Sequence, residues 1–309
     1  MESKPTTASL SALGSMSALG LCILFGGNTI AIKISILDLG VYFTAGMRFI
    51  IASLGLIAWA AATRRSLFVP RKNWLPLLVI SFFFSAQLLC FYTGISKTTA
   101  SRSALITNLQ PFFVLLLAHF FIPGDRINLK KIIGITLAFS GLAFIFFDHT
   151  VADSQLRSGD FIVLGGAFIW GCNAIFIKKV IHRFPPLHIA LFPMIAATPI
   201  ALTTSFFLDS QIIKDIHIET IAAVLYQSTM AAFGFVAWNT LLKRHGAVAL
   251  HSFVFVMPIV GVSLGGLILD EPITTRLLLG LLFVVSGLLV IHFKRQKPIR
   301  PFFTIGRNL

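Results

Sequence analysis

Apolar residues run in long, almost unbroken stretches along this chain, and Lys, Arg, Asp and Pro gather in the short gaps between them. The pattern predicts ten helical spans, at 11–33, 41–62, 74–95, 101–122, 129–147, 159–181, 187–208, 219–243, 247–269 and 275–294. Most hold about 19–25 residues, enough to cross roughly 30 Å of hydrocarbon. The connections are short, so no soluble domain is expected between spans.

Within the spans, polar positions repeat. Leu24–Lys33 reads LFGGNTIAIK, and Ile169–Lys178 reads IWGCNAIFIK, 145 residues later. Phe25, Gly26, Asn28, Ile32 and Lys33 match Trp170, Gly171, Asn173, Ile177 and Lys178. Gln110-Pro111 matches Met257-Pro258, Phe91 matches Trp238 and Ala100 matches Ala247, all at an offset of 147. Ser140-Gly141 matches Ser286-Gly287 at 146. The chain therefore reads as a duplication: a first repeat over 1–147, a second over 148–294, and a basic tail at 295–309. Each repeat holds an odd number of spans, so the two must enter the bilayer from opposite sides. The expected fold is an all-α integral membrane protein with ten transmembrane helices in two inverted five-helix repeats.

Composition narrows the class. Hydrophobic residues make up 56% of the 309 and charged residues 12%, with a mean hydropathy of +0.89; a soluble domain would carry about 25% charged residues. The net charge of +14 follows from where the cations fall. With the N-terminus inside, 18 Lys and Arg lie in inner segments and 6 in outer ones, with Arg48 inside span 2. That bias predicts both termini in the cytoplasm and a cell inner (plasma) membrane location. Anionic lipid accounts for the charge without nucleic acid. Cys22, Cys90 and Cys172 lie in apolar runs, so neither a disulfide nor a metal site nor any cofactor is expected. The first apolar run lacks a clear cleavage site and reads as a retained helix.

Taken together, these stretches resemble the EamA-type members of the drug/metabolite transporter superfamily. The resemblance rests on the aromatic-Gly-x-Asn…Lys stretch opening each half and on Ala45-Gly46-Met47-Arg48-Phe49. It rests also on the Pro111 and Pro258 helices and on the acid-then-helix pairs Asp125-Arg126 and Glu271-Pro272. It implies a ten-helix bundle around a central cavity, and export of amino acids or related metabolites. Phe25 stands where Trp is usual, Asp125 where Glu is usual, and Arg48 is matched by Pro193 in the second half.

An Asn inside an apolar helix is costly unless it meets a partner or a hydrated cavity. Asn28 and Asn173 are therefore the first candidates for substrate contact. Gln87, Tyr92, Asn108, Gln110, Trp170, Asn239 and His251 join them, although each also fits a helix-to-helix bond. Gly26, Gly27 and Gly171 allow packing or bending beside the Asn residues, and Pro111 and Pro258 kink their helices, so these five are candidate hinges. Lys33 and Lys178 end their helices as snorkelling residues or gates. Asp125 and Glu271 pair with a neighbouring Lys or Arg, or gate. Arg48 lies inside its span and reads as a tie between helices. Trp59, Trp74 and Trp238 read as interfacial anchors.

No acid falls deep in a span, which leaves a carboxylate proton relay without members. His119 and His251 are the intramembrane histidines that could titrate. There is no Walker A stretch. The reading is a secondary transporter working by alternating access: a facilitator, an exchanger or a weakly proton-linked carrier. Its partners are a small-molecule substrate and the bilayer. Amino acid or related metabolite efflux is the expectation, with import or exchange of a nucleotide-like or sulfonium metabolite as the alternative. Gly261-Val262-Ser263-Leu264-Gly265 matches G-x-S-x-G, and Ser263 with His251 would make a hydrolase. That motif needs a strand-to-helix elbow, and none is predicted here. A non-transporting scaffold has no reason to hold Asn at the same depth in both halves. The chain is expected not to be an enzyme.

Overall fold

The computed structural model describes residues 12–123, 127–147, 154–245 and 253–292. Eight helical runs within them are long and apolar enough to cross a membrane. They are Leu13–Asp38, Val41–Ala62, Arg71–Lys97, Ala100–Phe121, Leu129–Phe146, Ser158–Arg183, Pro186–Leu208 and Ile218–Trp238. The shorter apolar helices Val256–Ile268 and Thr275–Ile291 complete ten. These runs are numbered here as spans 1 to 10. Leu75, Phe82, Phe120, Phe206 and Leu267 stand largely exposed on their outer surface. Such a surface is stable against lipid, where no apolar burial is forfeited. The chain is a multi-pass, all-α membrane protein.

Its inverted repeat is visible in the packing. Span 2 lies against span 7, span 5 against span 10, and span 4 against span 9. Span 3 packs on span 6, and span 8 on span 1 in the same way. Glycine contacts show the symmetry residue by residue. A Cβ on Gly26 would meet Val260 Cβ at 2.7 Å; one on Gly171 would meet Phe113 Cβ at 3.0 Å. Gly171 is the repeat mate of Gly26, and Val260 that of Phe113, so one contact is made twice. In spans 5 and 10 the relation is reciprocal. Gly134 packs on Gly287, and Gly141 on Gly280, with each added Cβ 2.7–3.0 Å from the partner's carbonyl oxygen. Close backbone approach of this kind is how helices associate where the solvent is itself apolar.

Four spans depart from the sequence expectation. Span 1 continues to Asp38 rather than ending at Lys33. Its end is fixed by the other repeat: the Gly40 amide donates to the Ile212 carbonyl at 2.9 Å, and Leu39 bridges Ile213. Span 4 is split rather than only kinked. Its helix Ala100–Thr107 stops at Asn108-Leu109, and a second helix, Gln110–Phe121, begins with Pro111 in its first turn. Span 9 behaves alike, since Phe253–Phe255 form a turn and the helix Val256–Ile268 starts just before Pro258. Proline suits a first turn because the amide it lacks has no helical partner there. Span 8 carries a π-helical turn at Met230–Gly234, which the sequence pattern did not disclose.

Candidate functional site

Rise along the helices places the polar candidates in one layer. At 1.5 Å per residue from their ends on the same membrane face, Asn28, Gln87, Asn108, Gln110, Trp170 and Asn173 lie roughly 12–22 Å deep, near mid-membrane. The breaks of spans 4 and 9 fall in this layer too. Asn28 Oδ1, Gln87 Oε1 and Asn173 Oδ1 are buried with no hydrogen-bond partner in the protein. The Thr107 hydroxyl, beside the span 4 break, is in the same condition. Unsatisfied buried acceptors cost on the order of 1–3 kcal/mol each, and a cluster of them marks a place where water or a ligand belongs. Spans 1, 3 and 6 thus each hold an unpartnered amide oxygen at the depth where span 4 breaks.

The remaining candidates are held differently. Asn108 spends its side-chain amide on the Ala104 carbonyl, 2.7 Å away in its own helix. Gln110 and Trp170 are half-buried. Tyr92 is fully buried, and its hydroxyl donates to Gln227 Oε1 at 2.7 Å. Gln227 Nε2 donates onward to Ser35 Oγ at 2.9 Å, tying spans 3, 8 and 1. Gly27 leaves room for the Tyr226 hydroxyl, which donates to the Leu24 carbonyl. Asn239 lies on the helix Phe235–His245, with its side chain outside the described residues, as are His251 and Asp125. Lys178 is exposed, whereas Lys33 is half-buried and within electrostatic reach of Glu271. Pro258 is buried.

Several features were not foreseen. Trp238 is packed rather than interfacial, since its ring meets Phe25 edge-on at 5.8 Å, and Phe235 sits 5.7 Å from the same Phe25. His119 is exposed near the end of span 4, where Nδ1 accepts from the Ile127 amide. Ser263 sits mid-helix on an exposed side, without an elbow. Glu271 pairs with backbone: its carboxylate accepts the Ala100 and Ser101 amides, the latter at 2.8 Å, and so caps span 4. An anion fits there because it completes the orphan donors of a helix start.

Glu271 is one of four carboxylates that clamp the two repeats together on a single membrane face, called here the acidic face. Asp209 caps span 2 by accepting the Phe43 amide at 3.0 Å and the Tyr42 amide at 3.1 Å. Asp38 accepts from Thr220, and from the His217 amide at 3.2 Å and ring Nδ1 at 2.8 Å. Asp160, 0% exposed, accepts the Thr98 hydroxyl at 2.6 Å and a two-pronged guanidinium contact from Arg102. Each clamp joins one repeat to the other. The Asp38 hydrogen bond, then its charge, holds the His217 pKa above its ordinary 6.5. On the opposite face spans 1 and 8 part around a groove of about 480 Å³, lined by Ser17, Gly20, Leu21, Leu24, Ala237, Thr240 and Leu241.

The sequence pattern of the EamA-like transporter family matches residues 12–147 and again 157–293. The chain belongs to the EamA-like transporter family. Two relatives match over more than nine-tenths of their length. A "Probable amino-acid metabolite efflux pump" of Escherichia coli (strain K12) is 28% identical over 283 residues, covering 88% of this chain and 92% of that protein. The "Uncharacterized transporter YoaV" of Bacillus subtilis (strain 168) is 21% identical over 287 residues, with 91% and 98% covered. A solved structure described as "Crystal structure of protein" superposes with a TM-score of 0.66 at 16% identity, covering 90% of this chain and 97% of that one. That likeness concerns the fold. As an EamA-like transporter, the chain works in lipid on a small-molecule substrate.

Proposed function

We propose that this EamA-like transporter is a secondary carrier that moves amino acids or related small metabolites out of the cell. One observation supports it best: unpartnered amide oxygens of Asn28, Gln87 and Asn173 lie at the mid-membrane depth at which span 4 breaks. Broken helices at the repeat interface are where inverted-repeat carriers expose backbone and side-chain polarity to a solute. The efflux direction is favoured by the name of the Escherichia coli relative. The placement of Lys and Arg favours an inner-membrane protein with cytoplasmic termini, and the acidic face then lies outside.

Alternating access follows from the inversion. The acidic-face half of spans 3 and 6 is tightly packed, with a Gly159 Cβ position 2.9 Å from the Gly94 carbonyl oxygen. The corresponding region of spans 1 and 8, near the opposite face, holds the groove. This conformation is closed at the acidic face and parted at the other. The second access state exchanges the two interfaces.

The test is exchange of labelled amino acids by purified protein in liposomes, with Asn173→Ala and Asn28→Ala beside the wild type. The expected result is at least a tenfold loss of flux in both variants at unchanged melting temperature, since no protein partner is lost. Full flux in Asn173→Ala, or flux strictly requiring ATP, would sink the reading.

A further inference from the structure

Arg48 and Arg102 are both 5% exposed, and they are held very differently. Arg102 shows what a structural arginine in this protein looks like: it grips the Asp160 carboxylate through Nε and Nη2, and Nη2 also donates to the Ile145 carbonyl at 2.9 Å. Arg48 lacks such partners. Its Nε is buried without an acceptor, and among the described residues no carboxylate lies within ion-pair distance of it. Its guanidinium lies in hydrogen-bonding reach of the Tyr92 hydroxyl, a neutral partner, and 5.2 Å from the Phe49 ring centroid.

The surroundings fix that guanidinium in place. The Tyr42 hydroxyl bonds Thr93 at 2.7 Å and Phe49 packs on Phe84 at 5.4 Å, which sets the antiparallel register of spans 2 and 3. Interpolating between these pairs brings Arg48 level with Ser85, about two residues along span 3 from Gln87, whose amide oxygen is one of the unpartnered acceptors. Tyr92 cannot swing away, because Gln227 and Ser35 hold it through bonds of 2.7 and 2.9 Å. Gly46, two residues earlier, packs on Leu202 of span 7. Arg48, about 200° further round the helix, therefore points away from span 7 and toward the interior.

A permanent cation in a membrane interior without an anion is costly, and such residues serve ligands more often than packing. We propose that Arg48 is the carboxylate-binding residue of the transport site. One guanidinium, with no second cation beside it, suits a single carboxylate gripped by two parallel N–H donors rather than a doubly charged phosphate ester. The substrate class is a small carboxylic or amino acid. This assignment rests on the carrier reading above and adds to it the charge that the substrate must bear.

The experiment compares wild type, Arg48→Met and Arg48→Lys in lipid nanodiscs by thermal melting. The probes are the standard L-amino acids, short mono- and dicarboxylic acids, and the corresponding amides. Arg48→Met is expected to melt at least about 2 °C above wild type, because an unpaired buried charge has gone. Acids that raise the wild-type melting point should leave Arg48→Met unmoved, and their amides should fail on both. Arg48→Lys keeps the charge without the fork and should need about tenfold more of each acid. A melting point of Arg48→Met at or below wild type would mean a structural tie and overturn the proposal. So would an amide that works as well as its acid, or a panel without one stabilising acid. Liposome exchange separates the two readings. An acid held through Arg48 yet never exchanged would end the carrier reading and leave this site standing. Exchange that persists in Arg48→Met would do the reverse.

Discussion

Asp160 offers the sharpest test of how the two repeats are joined. It is fully buried and accepts the Thr98 hydroxyl at 2.6 Å and Arg102 Nε at 3.0 Å, with a further contact from Nη2. Asp160→Asn keeps the volume and removes the charge, which leaves Arg102 buried with only the Ile145 carbonyl as a firm partner. Breaking one side of a buried pair costs about 3–5 kcal/mol. At roughly 2–4 °C per kcal/mol, melting should fall by about 6–20 °C. Replacing both partners, as Asp160→Leu with Arg102→Met, removes the stranded charge and should recover most of that loss. A thiol-reactive dye provides the assay, since Cys22 is buried and Cys90 and Cys172 are partly so, and all three are free. If Asp160→Asn melts within about 2 °C of wild type, or the double variant falls as far as the single, the pair does not join the repeats energetically.

Three further outcomes can be measured alongside it. Gly40→Ala would set a Cβ 2.6 Å from Asp209 Cγ and push that carboxylate off the span 2 amides; a loss of about 1–2 kcal/mol is expected, with Asp209→Ala adding little in the double variant. Gly141→Leu would drive a side chain into the Gly280 carbonyl, 2.7 Å from its Cβ, and should cost about 1–3 kcal/mol or more in chemical or thermal unfolding. Because Asp38 raises the His217 pKa, the contribution of that pair is full below the ordinary value of 6.5 and fades as pH rises through the raised value. Wild-type melting should therefore decline across that window, His217→Gln should flatten the decline, and an unchanged pH profile in His217→Gln would refute the assignment.

How much of this was legible in the sequence differs by element. Apolar runs disclosed the spans because lipid imposes a length on every helix. The duplicated Gly-x-Asn stretch disclosed the inversion, and Gly26 and Gly171 do make the same contact in the two halves. What stayed hidden depends on partners distant in sequence. Asp160 and Arg102, 58 residues apart, look like solvated loop charges until Gly94 and Gly159 bring spans 3 and 6 together and bury them. Tyr92 read as a cavity residue because its partner Gln227 lies 135 positions away. Lys33 looked like a helix end because the residues that extend span 1 to Asp38, namely Ile212, Ile213 and His217, belong to the other repeat. The π-turn at Met230–Gly234 leaves no mark in hydropathy at all.

The positions of the four clamps carry a consequence for the transport cycle. In an inverted repeat each residue near one face has a mate near the other, so a perfectly symmetric chain would close both faces equally well. This chain is not symmetric there. At the 145-residue offset the mates of Asp38, Asp160 and Asp209 are Arg183, Ser15 and Arg64, and only Glu271 has an acidic mate, Asp125, at 146. Three of the four clamps therefore cannot be rebuilt at the opposite face by the same chemistry. Even at about 1.5 kcal/mol for each charge-assisted contact, the unmatched Asp160 and Asp209 clamps alone tilt the balance by about 3 kcal/mol, roughly a hundredfold, toward closure at the acidic face. A solute that opens that face must recover this difference from contacts it makes better in the other state. The unpartnered amides and Arg48 at mid-membrane are the groups still free to supply them.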